Sequence, residues 1–309
     1  MSLNKKTIKW LSRHAPISLK GKTVVVTGAN SGVGFKTAET CAYLGANIIM
    51  ACRNVEKAEE ARSKLVSEYP QIDISILELD LASFSSIDNF VNNVVSKNID
   101  IDVFVNNAGV YHQPNEFTKD GFELVLGVNY FGTYYLTEKL LPFLSKQLHQ
   151  VTYINTISLI HKFARKINYN DFYYAKKYKN LSVYARSKLC LAKYTYALAK
   201  KYENTNVKIL MNHPGIALTP LGLNSIGPRV ARLSKVFGVL FNSAEKSSLS
   251  VVYILSNDFP AGSIIGPKNL FGGWGYPKVN YVLRKVKKDA EELSIFTEKE
   301  IKSHYTSML

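Results

Sequence analysis

Tyr184 and Lys188 lie four residues apart in the run Tyr184-Ala185-Arg186-Ser187-Lys188. On a helix that spacing stacks both side chains on one face. A free phenol titrates near about 10 and exchanges protons poorly at neutral pH. An ammonium beside it stabilises the phenolate and draws the group toward the working range, so the pair is a candidate acid/base. In a chain with 19 tyrosines the pair says little by itself; its weight comes from where it falls. A second loaded stretch is Thr27-Gly28-Ala29-Asn30-Ser31-Gly32-Val33-Gly34. Its glycines permit a sharp turn and a close backbone approach to a pyrophosphate, and a helix starting there offers free N–H groups. A tight strand–helix junction needs glycine too, so the turn alone leaves both readings open.

Positioning these residues requires regular elements. Short apolar runs at 23–27, 47–51, 72–79, 101–105, 151–156 and 207–212 read as strands. Between them, helical patterns cover 54–69, 83–97 (opening on a serine cap), 119–144 and 182–202, the third interrupted by Gly127, Gly132 and Pro142. Repeated alternation of strand and helix implies an α/β fold with a mainly parallel sheet and helices on both faces. Ligands of such sheets bind beyond the carboxyl ends of the strands. The glycine turn follows the first strand, and Tyr184 sits on the helix after the fifth. Both therefore belong to the same end of the sheet.

The glycine spacing, with three residues and then one between glycines, resembles that of the short-chain dehydrogenase/reductase family. The resemblance runs from about Gly21 to Leu270. Asp80-Leu81 follows the third strand, where the family sets an acidic residue against adenine. Asn106-Asn107-Ala108-Gly109 follows the fourth and is similar to the family's sheet-supporting, ribose-lining element. Pro214-Gly215, with Ala217 and Thr219 beyond, matches the nicotinamide-side loop. The resemblance implies a single Rossmann-type, doubly wound domain of about seven strands. It also implies a catalytic tetrad of Asn129, Ser158, Tyr184 and Lys188. In it Ser158 bonds the substrate oxygen, and Asn129 kinks its helix and holds a water near the lysine. The long gap between Ser158 and Tyr184, His161, Ala51-Cys52-Arg53-Asn54 and His213-Pro214-Gly215 resemble the retinol dehydrogenase and protochlorophyllide reductase branch. Ile157 stands where that branch often has a second serine.

An NAD-preferring site usually closes its second strand with a carboxylate for the ribose 2′-OH. Here Cys52 occupies that position and Arg53 follows. A guanidinium can pair bidentately with a 2′-phosphate that a carboxylate would repel, so the expected cofactor is NADP(H). The alternative is a solvated surface arginine. The cofactor-binding residues expected are Gly28, Asn30, Ser31, Gly32, Val33, Gly34, Arg53, Asp80, Leu81, Asn106, Ala108, Gly109, Tyr184, Lys188, Pro214, Gly215, Ala217 and Thr219. The implied reaction moves a hydride between nicotinamide and a carbonyl or alcohol carbon. A catalytically silent dinucleotide-binding sensor or scaffold is the alternative, which an intact tetrad disfavours.

At 309 residues and 46% hydrophobic, the chain can bury a large core as one domain. Residues 1–20 read as an N-terminal extension, 216–247 as a substrate-side lid and 272–309 as a C-terminal extension. An apolar stripe through Val230, Leu233, Phe237, Leu240 and Phe241 fits either a lid over a lipophilic substrate or an ordinary packed helix. Three cysteines in an odd count and six scattered histidines argue against disulfides and a metal site. No apolar run reaches the roughly 18–20 residues of a membrane span and no secretory signal opens the chain, so the expected location is cytoplasmic. The net charge of +15 is spread along the chain. Such a charge attracts phosphorylated cofactors, anionic membranes and nucleic acids alike and does not choose among them. No nucleic acid is expected, since no recognised module is present, and peripheral membrane contact is open but not favoured. The insertion 162–180 reads as a solvated basic surface segment. Homo-oligomers are compatible with the family.

Overall fold

The computed structural model describes residues 3–111, 116–173, 178–216, 242–269 and 272–306. Eight strands form one sheet in the order β3-β2-β1-β4-β5-β6-β7-β8. They are β1 (Thr23–Thr27), β2 (Asn47–Cys52), β3 (Ile74–Glu78), β4 (Val103–Asn106), β5 (Val151–Thr156), β6 (Val207–Asn212), β7 (Ile264–Asn269) and β8 (Trp274–Asn280). The first seven are parallel, and β8 runs antiparallel beside β7. The mainly parallel, doubly wound sheet expected from the sequence is what forms, with one antiparallel edge strand, a common addition to such sheets.

Central strands are apolar on both faces because helices cover both. Val25, Phe104, Tyr153 and Ile209 point into one core, and Val24, Val26, Val105, Ile154 and Leu210 into the other. This is the two-residue alternation of a pleated strand. The helices are α1 (Lys5–His14), α2 (Gly32–Tyr43), α3 (Val55–Glu68), α4 (Phe84–Ser96), α5 (Leu124–Leu126), α6 (Thr133–Leu144), α7 (Asn180–Lys201), α8 (Ala244–Leu255), α9 (Arg284–Lys287) and α10 (Ala290–Thr306). Ser83 caps α4 by accepting the Ser86 N–H. The strand order reverses between β1 and β4, the usual place for a ligand crevice.

Three departures from the sequence pattern bear on the site. The helical run expected at 119–144 starts at Leu124, where the Glu123 carboxylate accepts the N–H groups of Val125 and Leu126. It then passes through a π turn, Gly127–Gly132, before α6. Gly132 is needed there, since a Cβ would overlap the Leu81 carbonyl oxygen. The insertion after Ser158 is anchored rather than loosely solvated. Phe172 is buried, Arg186 donates to the Asp171 and Phe172 carbonyls at 2.6 Å, and Lys285 of α9 donates to the carbonyls of Lys162 and Ala164. Finally, α1 packs against α8 and β8, with Trp10 buried and stacked 5.4 Å from Tyr276.

Candidate active site

The glycine turn is built as the sequence demands. Gly28 and Gly32 hold φ of +66° and +58°, a region that suits glycine. A Cβ on Gly34 would overlap the Gly28 carbonyl oxygen and the Asn107 amide. The turn is braced from β4: Thr27 Oγ1 accepts the N–H groups of Asn107 and Ala108 at 3.0 and 2.9 Å, and Asn107 Nδ2 donates to the Thr27 carbonyl at 3.0 Å. Ser31 stands at the N-cap of α2 without a capping side-chain bond.

Beyond the strand ends lies a cleft of about 760 Å³. It is lined by Gly28, Asn30, Ser31, Gly32, Val33, Gly34, Arg53, Asp80, Leu81, Ala108, Gly109, Ser158, Tyr184, Lys188, Pro214 and Gly215. Asn106, expected among the cofactor-binding residues, does not line it. Its side chain is buried inside the sheet, donating to Tyr153 Oη at 2.7 Å and Asn155 Oδ1 at 2.8 Å. Its neighbour Asn107 faces the cleft instead. Ala217 and Thr219, with the lid stripe, lie outside the described residues. Asp80 reaches the cleft with its carboxylate accepting the Ala82 N–H at 3.0 Å. Cys52 is buried, while Arg53 is exposed at the rim with Asn54 and Lys57.

The four expected catalytic side chains converge. Tyr184 is hydrogen-bonded to the Ser158 hydroxyl. Burial pushes the phenol above its ordinary value, and the Ser158 bond pulls the other way. Lys188, buried one turn along α7, donates from Nζ to the Thr156 carbonyl at 2.9 Å. Burial pushes it down to about 8. The expected lowering of the phenol by this ammonium therefore does not prevail; desolvation of Tyr184 is the larger effect. Asn129 occupies the π turn, a feature frequent at functional sites. It clamps the loop after β4, donating to the Val110 carbonyl at 2.9 Å and accepting the Val110 N–H at 2.8 Å. It also donates to Ser187 Oγ at 3.2 Å. A Cβ on Gly109 would come 2.9 Å from Asn129 Oδ1 and 3.5 Å from Lys188 Nζ, so all three share one spot.

Several lining residues carried no sequence signal. Tyr111 sets its ring edge-on to Tyr184, centroids 5.0 Å apart. Leu159, Ile160, Phe163 and Leu181 form an apolar wall beside it. Phe163 and Leu181 are 71% and 50% exposed, so the mouth of the cleft is greasy as well as its wall. Among the described residues, no group of His, Cys, Asp and Glu could hold a metal, and no helix is long and apolar enough to cross a membrane.

Residues 22–226 match the family model for short chain dehydrogenases. The chain belongs to the short-chain dehydrogenase/reductase family. Retinol dehydrogenase 14 of Mus musculus is 39% identical over 227 residues, 70% of this chain and 67% of that one. That level of identity supports the retinol dehydrogenase-like branch of the family and an oxidoreductase acting on CH–OH or C=O groups. Among solved structures, a protein of Mycobacterium paratuberculosis superimposes with a TM-score of 0.74 at 30% identity, covering 93% of this chain and 95% of its own. A short chain dehydrogenase of Shigella flexneri, complexed with NADP, shares the fold with a TM-score of 0.63 at 21% identity, covering 82% of this chain and 98% of its own.

Proposed function

We propose that this short-chain dehydrogenase/reductase is an NADP(H)-dependent carbonyl reductase or alcohol dehydrogenase for lipophilic substrates, with Tyr184 as acid/base. The observation that carries this reading is the hydrogen bond between Ser158 and Tyr184 in a cleft shared with buried Lys188 and the glycine turn.

The cleft fits a dinucleotide on its own terms. Glycine at 28 and 34 leaves the close backbone surface that a pyrophosphate requires, and the N-terminus of α2 with the Ser31 hydroxyl faces the same space. Arg53 and Lys57, with no carboxylate ending β2, favour a 2′-phosphate over a bare ribose. When bound, the dinucleotide supplies or accepts the hydride. The protein's residues do the rest. Ser158 orients the substrate oxygen as charge develops there, and Tyr184 delivers or removes the proton. The Lys188 ammonium offsets the charge left on the phenol. Asn129 holds the Val110 loop and α7 in register around them. The apolar wall from Tyr111 to Leu181 suits a hydrophobic carbonyl compound. Three free, buried cysteines accord with a reducing cytoplasm.

The test is a panel of aldehydes, ketones and retinoids with NADPH, read by loss of its absorbance. Turnover with NADPH well above that with NADH is the expected result. Tight NADPH binding with no turnover across the panel would move the protein to the silent, dinucleotide-sensing class.

A further inference from the structure

Two histidines behind the catalytic corner have no part in the chemistry above. His161 and His213 are both fully buried. His161 lies in the short 3-10 turn Leu159–Phe163 that follows Ser158, with Nδ1 2.6 Å from the Ser158 carbonyl oxygen. A carbonyl only accepts, so Nδ1 carries the proton and Nε2 is a bare acceptor. His213 follows β6. There the Gly215 N–H donates to Nδ1 at 3.3 Å, which places the proton on Nε2, a buried atom near the Asn280 side chain but without a well-formed hydrogen bond to it. Burial holds both imidazoles far below the usual histidine range, His161 at about 4 and His213 at about 3, so each is neutral and fixed in one tautomer near neutral pH.

The fold makes room for this arrangement at some conformational cost. A Cβ on Gly266 would overlap the His213 ring, and one on Gly272 would come 2.8 Å from its Cε1. The turn held by His213 also docks on the β7–β8 connection, where the Ile216 N–H donates to the Gly273 carbonyl at 2.8 Å. Ser158 and His213 follow neighbouring strand ends. The Ile157 N–H donates to the Asn212 carbonyl, and Thr156 Oγ1 donates to Asn212 Oδ1, both at 2.8 Å. The two imidazoles are near enough for a charge on His161 to disfavour one on His213.

We propose that His161 and His213 are positioning residues of opposite tautomer. His161 fixes the Ser158 backbone and so aims its hydroxyl. His213 fixes the Pro214–Gly215 turn on the nicotinamide side, and together they make one rigid corner from two loops. The assignment of what is being aimed rests on the function proposed above.

The test has two arms on the full chain. In the first, ¹⁵N-histidine NMR of the wild-type protein reads the tautomers directly, without any turnover. One buried ring protonated at Nδ1 and one at Nε2 is expected, and two buried rings of the same tautomer would overturn the proposal. In the second, His161→Asn keeps a donor near the Nδ1 position, whereas His161→Phe keeps a ring without one. His161→Phe should lower kcat by about tenfold or more with NADPH KM within about twofold, and His161→Asn should recover most of the loss. For His213, the Leu variant should weaken NADPH binding, read by nucleotide fluorescence, by about tenfold, while the Asn variant, which restores an acceptor, stays within about threefold. Equal losses in both members of either pair, or none in either, would reduce these histidines to packing. If wild-type protein turns over no carbonyl compound while the tautomers and the NADPH affinities behave as stated, the functional reading fails and the positioning role stands.

Discussion

The Lys188 ammonium donates a 2.9 Å hydrogen bond to the carbonyl oxygen of Thr156, the last residue of β5. A buried cation is thereby tied to the end of the strand that also delivers Ser158. The chain holds this charge out of water by design of the site and pays for it in proton affinity, the group falling from an ordinary value of 10.5 to about 8.

That shift has a sign. The unfolded chain binds the Lys188 proton more tightly, so the penalty is fully present below pH 8 and disappears as pH rises to 10.5. Relative to Lys188→Met, the wild-type protein without nucleotide should gain roughly 3 kcal/mol of unfolding free energy across that window. Denaturant titrations of both proteins at several pH values measure it. A difference that stays flat with pH would mean the ammonium is not buried as described.

Tyr184→Phe removes the hydroxyl that meets Ser158 and leaves the ring against Tyr111. Turnover should fall by a factor of about 10² to 10⁴, the span of a lost general acid/base, with NADPH affinity within about twofold of wild type. Stopped assays and nucleotide fluorescence together read both quantities. Substantial surviving reductase activity would contradict the assignment.

Arg53→Gln should raise the Kd for NADPH about 10- to 100-fold and leave that for NADH almost unchanged, the loss of a charge-assisted bond to a phosphate. Because Arg53 is exposed at the cleft rim, its removal should leave thermal stability alone. Parallel losses for both nucleotides would show that it does not read the 2′-phosphate.

Gly34→Ala places a methyl group where the Gly28 carbonyl and Asn107 amide already are. The backbone must move, at a cost of about 1–3 kcal/mol in stability and with loss of nucleotide binding. Thermal melts with and without NADPH check both. A variant that melts and binds like wild type would show that the turn has slack.

Much of the candidate site is legible in the sequence, because the residues that line it follow strands whose two-residue period is plain. The glycine turn after β1, Ser158 after β5 and Pro214 after β6 are of this kind. The different placement of Asn106, whose side chain turns into the sheet, has the same root. Adjacent side chains at a strand end point to opposite sides, so whether Asn106 or Asn107 meets the cleft depends on where β4 stops, and a period does not fix its own terminus. Long-range contacts were illegible for a different reason. Phe172 is buried because its ring packs on Phe131 and Phe296, 41 residues before it and 124 after it, and Arg186 fixes its carbonyl; the insertion's many lysines masked that anchor. Strand β8 was hidden because Pro277 and exposed Lys278 break the apolar pattern of an inner strand.

Those two residues also set the character of the sheet's edge. At that end of the sheet β8 replaces β7 as the outermost strand, carrying a proline that offers no N–H and a lysine turned to solvent. A proline and a solvent-facing lysine are features that make an edge strand a poor template for pairing with another strand, so the edge beside the Pro214–Gly215 turn is a weak starting point for an intermolecular ribbon.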